Sequence, residues 1–478
     1  MKSILKKWIW FLLLVILFSC NRNNLFDMAD SHAVTYASDA HTAAELPDTC
    51  RYREGETVEV EYPLDGFYKM NYLFMGWRDE SSGIEYNPES EFEMGEDDVT
   101  LNAIWVASPL IYDALGDVFD NFAGDVGDSV SIQIGGADLD FIYSHDGSSI
   151  IFPFEDSNSP KTITEKFFMS ETVVTNRTFK DVYQWAYNNG KFNRNLSSGK
   201  KTFVDNNEAK YGANLLITFG GDCKISFENG GKKFVLAAGD YNFPVVQVTI
   251  YGAIMFCKWL TEMQYGAGNN SVYDGIMPDS WIGFKVYTDA KGYRLPTDVE
   301  WEYAARYLKG DPAAQPIDDD DIGYVKLPGE RIYKDDSSYI DLTPGYFWTP
   351  GNYASGAWAK YDESDIYPPT GETVGKYYTS LVAVYDTTVL ALAKNSKKPN
   401  QLGLCSMSGN VWEWCLKYEY PPGIVTTIGL DVANDCTLRG GCYKSSAADL
   451  QVGNRKSGSY YSDDSPGTIG FRIAKTKE

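Results

Sequence analysis

Four patterns of hydrophobic and polar positions follow one another along the chain. The first is an uncharged apolar run over residues 8–18, preceded by Lys2, Lys6 and Lys7. It is short for a bilayer span and has the length of a signal-peptide core. The second, over residues 34–106, alternates in short pieces punctuated by Gly55, Gly66, Gly76 and Gly83. Its pattern predicts strands near 34–36, 57–62, 72–77 and 99–105. The third, 107–136, is Gly/Asp-rich and reads as a linker of uncertain structure. The fourth, 137–478, is long and irregular, with helices predicted over 175–188, 248–263 and 298–308. For the last of these, Thr297 and Glu300 have capping-box spacing just after Pro296. Within this part, residues 190–241 break the pattern with Gly, Asn and Lys clusters and read as an insertion.

The first apolar run ends in Leu17-Phe18-Ser19-Cys20, a small residue followed by cysteine. This resembles a bacterial lipobox. It implies a signal peptide over 1–19, lipidation of Cys20 and a polar tether over 20–33. A plain signal peptide with an incidental cysteine is the alternative. Acyl chains on Cys20 would hold the folded part at a membrane. The expected location is the cell envelope, lipid-anchored to a bacterial membrane, with the outer membrane and a periplasmic or surface face favoured.

Charge and composition narrow the functions. The net charge of −24 repels phosphate backbones, so no nucleic-acid partner is expected. The acidic run 318–321 reads as a solvated loop, with a calcium site as the alternative. Of three histidines, His32 and His41 fall near the tether and only His145 lies beyond it. A histidine-rich zinc site cannot be built, and a Ser-His-Asp set in the main domain would have to use His145. C-x-x-C, H-E-x-x-H and phosphate-loop patterns do not occur. Beside Cys20 stand seven cysteines, an odd number, in an exported setting that permits disulfides. Cys257 falls in a helical run and reads as a buried thiol. Cys415 with Cys436, and Cys405 with Cys442, are possible disulfides whose connectivity the sequence leaves open.

The order Phe74-Met75-Gly76-Trp77, Tyr86-Asn87-Pro88, Phe92-Glu93-Met94 and Val99-Thr100-Leu101-Asn102-Ala103-Ile104-Trp105 resembles one Listeria–Bacteroides repeat. Such modules are small, β-grasp-like spacers of bacterial surface proteins, and the aromatic residues are then core. Further on, Ser170-Glu171-Thr172-Val173-Val174-Thr175-Asn176 is followed by Pro244-Val245-Val246-Gln247-Val248, and then by Gly292-Tyr293-Arg294-Leu295-Pro296-Thr297-Asp298-Val299-Glu300-Trp301-Glu302-Tyr303-Ala304-Ala305-Arg306. Next come Gly351-Asn352-Tyr353, Met407-Ser408-Gly409-Asn410-Val411-Trp412-Glu413-Trp414, Leu438-Arg439-Gly440-Gly441 and Ile469-Gly470-Phe471-Arg472. In this order the motifs resemble the formylglycine-generating enzyme, or sulfatase-modifying factor, family. The resemblance implies an α+β, C-type-lectin-like fold with low regular secondary structure and long ligand-bearing loops.

The same resemblance sets expectations for the site. Ser406, Gly409, Val411 and Glu413 occupy positions where the family supplies oxygens to calcium, with Ser406 in place of the usual acid or amide. A second calcium position falls at Asn352 and Tyr353, with Asp362 or Asp365 as its acid. Arg294, Glu300, Glu302, Arg306 and Arg439 read as buried scaffold charges. Family enzymes oxidise a substrate cysteine with copper held by two thiolates about ten residues beyond the R-G-G turn. Here that stretch is Ala447-Ala448-Asp449-Leu450-Gln451-Val452-Gly453-Asn454, so copper is not expected and no catalytic residue is assigned. The related sulfoxide synthases need iron-binding histidines, which this domain lacks. Tyr443, Ser445, Asn454, Tyr460, Tyr461 and Asp463 are candidates for an exposed ligand face. The expected function is a non-catalytic binding or scaffold protein with a protein or glycan ligand. A sulfatase-maturing oxidase with rearranged ligands, and a component of an envelope secretion or gliding machine, are the alternatives.

Overall fold

The computed structural model describes residues 30–39, 46–63, 67, 69, 72–107, 112–113, 116–134, 137–152, 154, 160–192, 203–204, 208–211, 214–236, 241–266, 272–274, 285–287 and 290–308. It further describes 331–333, 339–341, 347–348, 355, 383–384, 399–417, 426–427, 436–443, 445, 447–457 and 466–477. The leader, Cys20, the acidic run 318–321, Asn352, Tyr353, Asp362, Asp365, Tyr460, Tyr461 and Asp463 lie outside the described residues. The chain forms two compact units. One holds residues up to 107 with 184–191 and 228–233, and the other holds the rest.

In the first unit, strands β1 (Ser31–Ala37), β2 (Cys50–Arg53), β4 (Tyr72–Asp79), β5 (Glu85–Tyr86) and β7 (Val99–Ala107) form a sheet of order β2-β1-β7-β4-β5. β3 (Thr57–Glu59) pairs with β6 (Glu91–Glu93). The predicted strands are therefore present, and their alternation has a cause. Val34, Tyr36, Val58, Phe74, Trp77 and Leu101 are buried on one side around Phe67 and Met94. The aromatic residues interlock, with Tyr36 edge-on to Trp77 at 4.8 Å and Phe67 stacked on Trp105 at 5.0 Å. Polar ends are satisfied as well: Trp77 Nε1 donates to the Glu61 carbonyl at 3.1 Å, and the Glu61 amide donates to the Tyr36 hydroxyl at 2.8 Å.

The second unit is mixed α+β with little regular structure, as expected. A five-stranded sheet, β8-β9-β10-β16-β11, is built from β8 (Ser129–Ile134), β9 (Ala137–Asp146), β10 (Lys166–Ser170), β11 (Tyr293–Arg294) and β16 (Ala474–Thr476). A four-stranded sheet, β14-β13-β12-β15, uses β12 (Trp412–Leu416), β13 (Cys436–Arg439), β14 (Arg455–Ser457) and β15 (Ile469–Gly470). The C-terminal strand β16 lies between β10 and β11, so the first and last parts of the domain close on each other.

Three helices are described in this domain: α1 (Asn176–Asn188), α2 (Ile250–Tyr265) and α3 (Asp298–Arg306). The last residues of α1 fall in the first unit. Each helix lies within two residues of its predicted position at either end. α2 starts where the Thr249 side chain accepts the Gly252 amide, and its residues are buried almost throughout. α3 carries the capping box: Thr297 accepts from the Glu300 amide while Glu300 accepts from the Thr297 amide.

The stretch 107–136 proves more structured than its Gly/Asp content suggests. β8 pairs along its whole length with β9. Asp117 accepts the Tyr265 hydroxyl at 2.6 Å, and Phe119, fully buried, packs against Phe141 and Phe168. A few apolar residues spaced among acids suffice here because their partners come from distant sequence.

His145 sits buried on β9 between Phe167 and the edge of Tyr303. Its Nδ1 lies 2.6 Å from the Glu165 carbonyl and 3.2 Å from the Gly147 amide nitrogen, and its Nε2 is buried without a hydrogen-bond partner. Burial holds its pKa below the usual histidine value, against the opposing pull of Asp146, Glu165 and Glu300. A native pKa below the unfolded one makes stability full above about pH 6.5 and falling as the pH drops below it. Urea midpoints should therefore decline below that pH in the parent chain and decline less steeply in His145→Phe. Parallel slopes would remove His145 as the cause.

Candidate functional site

The motif residues converge because α3 presents charges on successive turns to the strands packed beside it. Glu300 receives Arg294 through two bonds of 2.6 and 2.7 Å. Glu302 receives Arg439 at 2.6 Å and Arg306 at 2.7 Å. Glu413 on β12 receives Arg472 through Nε at 2.5 Å and Nη2 at 2.7 Å, and its Oε2 also accepts Trp301 Nε1 at 2.8 Å. Each of these groups is buried. A charge is tolerated at such depth only when paired and hydrogen-bonded, and bidentate arginine–carboxylate geometry meets both needs. The expectation that the motif charges are scaffold agrees with this geometry.

Around these pairs three loops meet. The Gly409 amide donates to the Gly440 carbonyl at 2.7 Å, the Tyr443 amide to the Asn410 carbonyl at 2.9 Å, and Ser408 Oγ to the Leu450 carbonyl at 2.8 Å. The R-G-G turn needs its glycines. Both have positive φ, and a Cβ on Gly441 would stand 2.7 Å from Leu450 Cδ2 and 2.8 Å from the Asp449 carbonyl oxygen.

The stretch 447–454 begins as a 3₁₀ turn, Ala447–Leu450, and buries Leu450 and Val452. Arg439 Nη1 donates to the Asn454 carbonyl at 3.1 Å. The stretch is thus held by apolar packing and a guanidinium–carbonyl bond.

Several sequence expectations change at this point. Cys405, Cys415, Cys436 and Cys442 are buried thiols rather than cystines. For Cys415 and Cys436 the register gives the reason. Cys415 is opposite Thr437 and Leu416 opposite Cys436, so the two thiols project from opposite faces of the sheet. Cys405 Sγ instead lies 3.5 Å from a Glu171 carboxylate oxygen, and Cys442 Sγ accepts from Ser445 Oγ at 3.4 Å. Burial, with Glu171 adding to it, pushes the Cys405 thiol up to about 12. Burial also holds Cys415 well above its usual value. Cys257, expected as a buried thiol, is one, and burial raises it as well.

Tyr443 and Ser445, expected on an exposed ligand face, are buried. Ser445 closes its turn by accepting the Cys442 amide at 2.9 Å. Asn454 is half-buried, with Nδ2 3.4 Å from Asp449 Oδ1. Small polar residues looked like adaptable contacts in the sequence, but here they satisfy backbone groups in irregular structure.

The donor set at Ser406, Gly409, Val411 and Glu413 fits calcium poorly. Glu413 is the one carboxylate among them, and its two oxygens already take three donors, two of them from a guanidinium. Calcium sites draw on several oxygens, usually with more than one carboxylate. Ser406 and Asn410 hold the positive φ of a tightly turned loop.

A polar depression on α1, formed by Arg177, Lys180, Asp181 and Tyr241, was missed in the sequence. Its signal was the i, i+3, i+4 spacing of the three helical charges. Tyr241 closes the span read as an insertion.

With this geometry in hand, comparison with known proteins places the chain. It belongs to the sulfatase-modifying factor family: residues 117–477 match the sulfatase-modifying factor enzyme 1-like domain. The formylglycine-generating enzyme of Streptomyces coelicolor is 30% identical over 203 residues, covering 41% of this chain and 50% of that protein. The serine/threonine-protein kinase pkn1 of Chlamydia pneumoniae is 27% identical over 267 residues, covering 53% of this chain and 27% of the kinase. The chain thus spans half or less of the length of these two relatives. Among solved structures, Treponema denticola variable protein 1 is similar at 20% identity and TM-score 0.39, over 73% of this chain and 98% of that one. CarF is similar at 18% identity and TM-score 0.35, over 71% and 99%.

If Glu413 serves the ion pair, Arg472→Met should lower unfolding stability by about 3–5 kcal/mol in urea titrations. EDTA should leave the parent midpoint where it is. A chelator-induced fall reversed by calcium would restore the calcium assignment.

Proposed function

We propose that this chain is a lipid-anchored envelope protein whose sulfatase-modifying factor domain binds a protein or glycan ligand without oxidising cysteine. The observation that carries the reading is the apolar turn 447–454, with Leu450 and Val452 buried where the family's copper thiols belong.

The anchor rests on the sequence Leu17-Phe18-Ser19-Cys20 behind the apolar run. The proposed attachment is through acyl chains on Cys20. The β-rich first unit, read as a Listeria–Bacteroides repeat, then acts as a spacer. The oxidase reading draws on the 30% identity to the Streptomyces enzyme and is tested in the same experiment.

Full-length protein incubated with copper(I), oxygen and a cysteine-bearing sulfatase peptide should form no aldehyde, while a formylglycine-generating enzyme run in parallel forms it. Aldehyde from this chain would establish the oxidase. Separately, expression with an alkyne fatty acid should label the parent chain, and Cys20→Ala should abolish the label. Equal labelling of both would sink the anchor.

A further inference from the structure

The C-terminal strand carries a lysine deep inside the five-stranded sheet. β16 lies between β10 and β11, and its register sets Lys475 opposite Phe168 on one side and Tyr293 on the other. The three side chains therefore share one face of the sheet. Lys475 is fully buried, and its Nζ lies 4.9, 5.5 and 6.0 Å from the ring centres of Phe119, Tyr265 and Tyr293. Asp117 Oδ2 stands 3.8 Å from Nζ, a contact longer than a hydrogen bond. Lysine is almost never buried to this depth, and an ammonium there is costly unless it is paired at close range.

Asp117 is buried as well and is held by other donors. Its Oδ1 accepts the Phe119 amide at 3.0 Å. Its Oδ2 accepts the Tyr265 hydroxyl at 2.6 Å and faces Lys291 Nζ at 3.3 Å. Lys291 in turn reaches Asp120 at 2.8 Å. The carboxyl thus has donors on both oxygens, and such donors stabilise the negative charge that an attacking nucleophile pushes onto them. Reacting atoms are poised when about 3–3.5 Å apart, and Asp117 Cγ is one bond from the oxygen that Lys475 faces. An amine and a polarised carboxyl are therefore neighbours within a cage of rings.

We propose that Lys475 and Asp117 condense into an intramolecular isopeptide bond. One proton passes from the Lys475 ammonium to the Asp117 carboxylate, leaving an amine and an acid. The amine nitrogen attacks Cγ, the C–N bond forms, and the C–OH bond breaks. The leaving hydroxyl takes the second proton from nitrogen and departs as water. No oxidant, metal or second substrate is consumed. Burial favours the product, because the amide replaces two charges by a neutral group. Asp117 opens the span 117–477 that matches the family, and Lys475 stands in its last strand. The bond closes that whole domain into a covalent loop, which restricts the unfolded chain as other cross-links do. It stands whether or not the domain binds a ligand, since it uses no residue of the motif loops.

The test is mass spectrometry of the full chain, purified in detergent, held at neutral pH and then digested with trypsin under denaturing conditions. Trypsin does not cut after an acylated lysine. Residues 473–477 should therefore stay uncut at Lys475 and appear joined to the peptide that holds Asp117, lighter than the two together by one water. This joined form should be the major species in the parent chain. It should be lost in Lys475→Met and in Asp117→Ala, with circular dichroism showing that each variant folds. Should a variant fail to fold, the parent chain decides alone. Cleavage after Lys475 in the folded parent, with the Asp117 peptide at its full mass, would overturn the proposal. A link that persists in Asp117→Ala would overturn it too.

Discussion

The bidentate pair between Arg472 and Glu413 is the interaction on which the rest of the second unit depends. Arg472 stands in the short gap between β15 and β16, where the chain leaves one sheet and enters the other. Its guanidinium spends two bonds on Glu413 in the four-stranded sheet. It donates to the Ser170 carbonyl at 3.0 Å at the end of β10 in the five-stranded sheet, and to the Cys405 carbonyl at 3.0 Å in the motif loop. One side chain thereby ties together a carboxylate and the carbonyls of two further segments. A fold with little helix or sheet needs such groups, because every buried backbone acceptor must still find a donor.

The other pairs follow the same logic around α3. Arg294 fixes the helix start through the capping-box Glu300, and Glu302 holds both Arg306 on its own helix and Arg439 on β13. The family motifs are therefore chiefly instructions for assembling a core from charges and tryptophans. At 447–454 Leu450 and Val452 are buried, and Arg439 anchors the turn through the Asn454 carbonyl.

The sequence was most legible where local chemistry decides conformation. The helices, the Thr297–Glu300 capping box and the strands of the first unit were all readable, because capping and period-2 burial act within a few residues. It was least legible where a residue's role depends on what arrives from elsewhere. Cys415 and Cys436 look like partners in sequence, yet β-sheet register turns them to opposite faces. Ser445 and Tyr443 look like surface residues, yet the R-G-G turn and the Asn410 carbonyl draw them inward. Glu413 looks like a cation ligand, and the Arg472 guanidinium from between the last two strands occupies it instead. The Gly/Asp-rich stretch before residue 137 looks unstructured until Tyr265, Phe141 and Phe168 are placed around it.

By itself the sequence determined the family, the α+β class and the helix starts, since motif order and capping are local facts. Tertiary structure alone decided which carboxylate each arginine neutralises, that Cys415 and Cys436 face apart, and that Asp181 keeps a buried oxygen without a donor. The physical reason is common to all three. In a low-dielectric interior the energy of a polar group is set by its nearest few partners, and those partners are brought together from opposite ends of the chain.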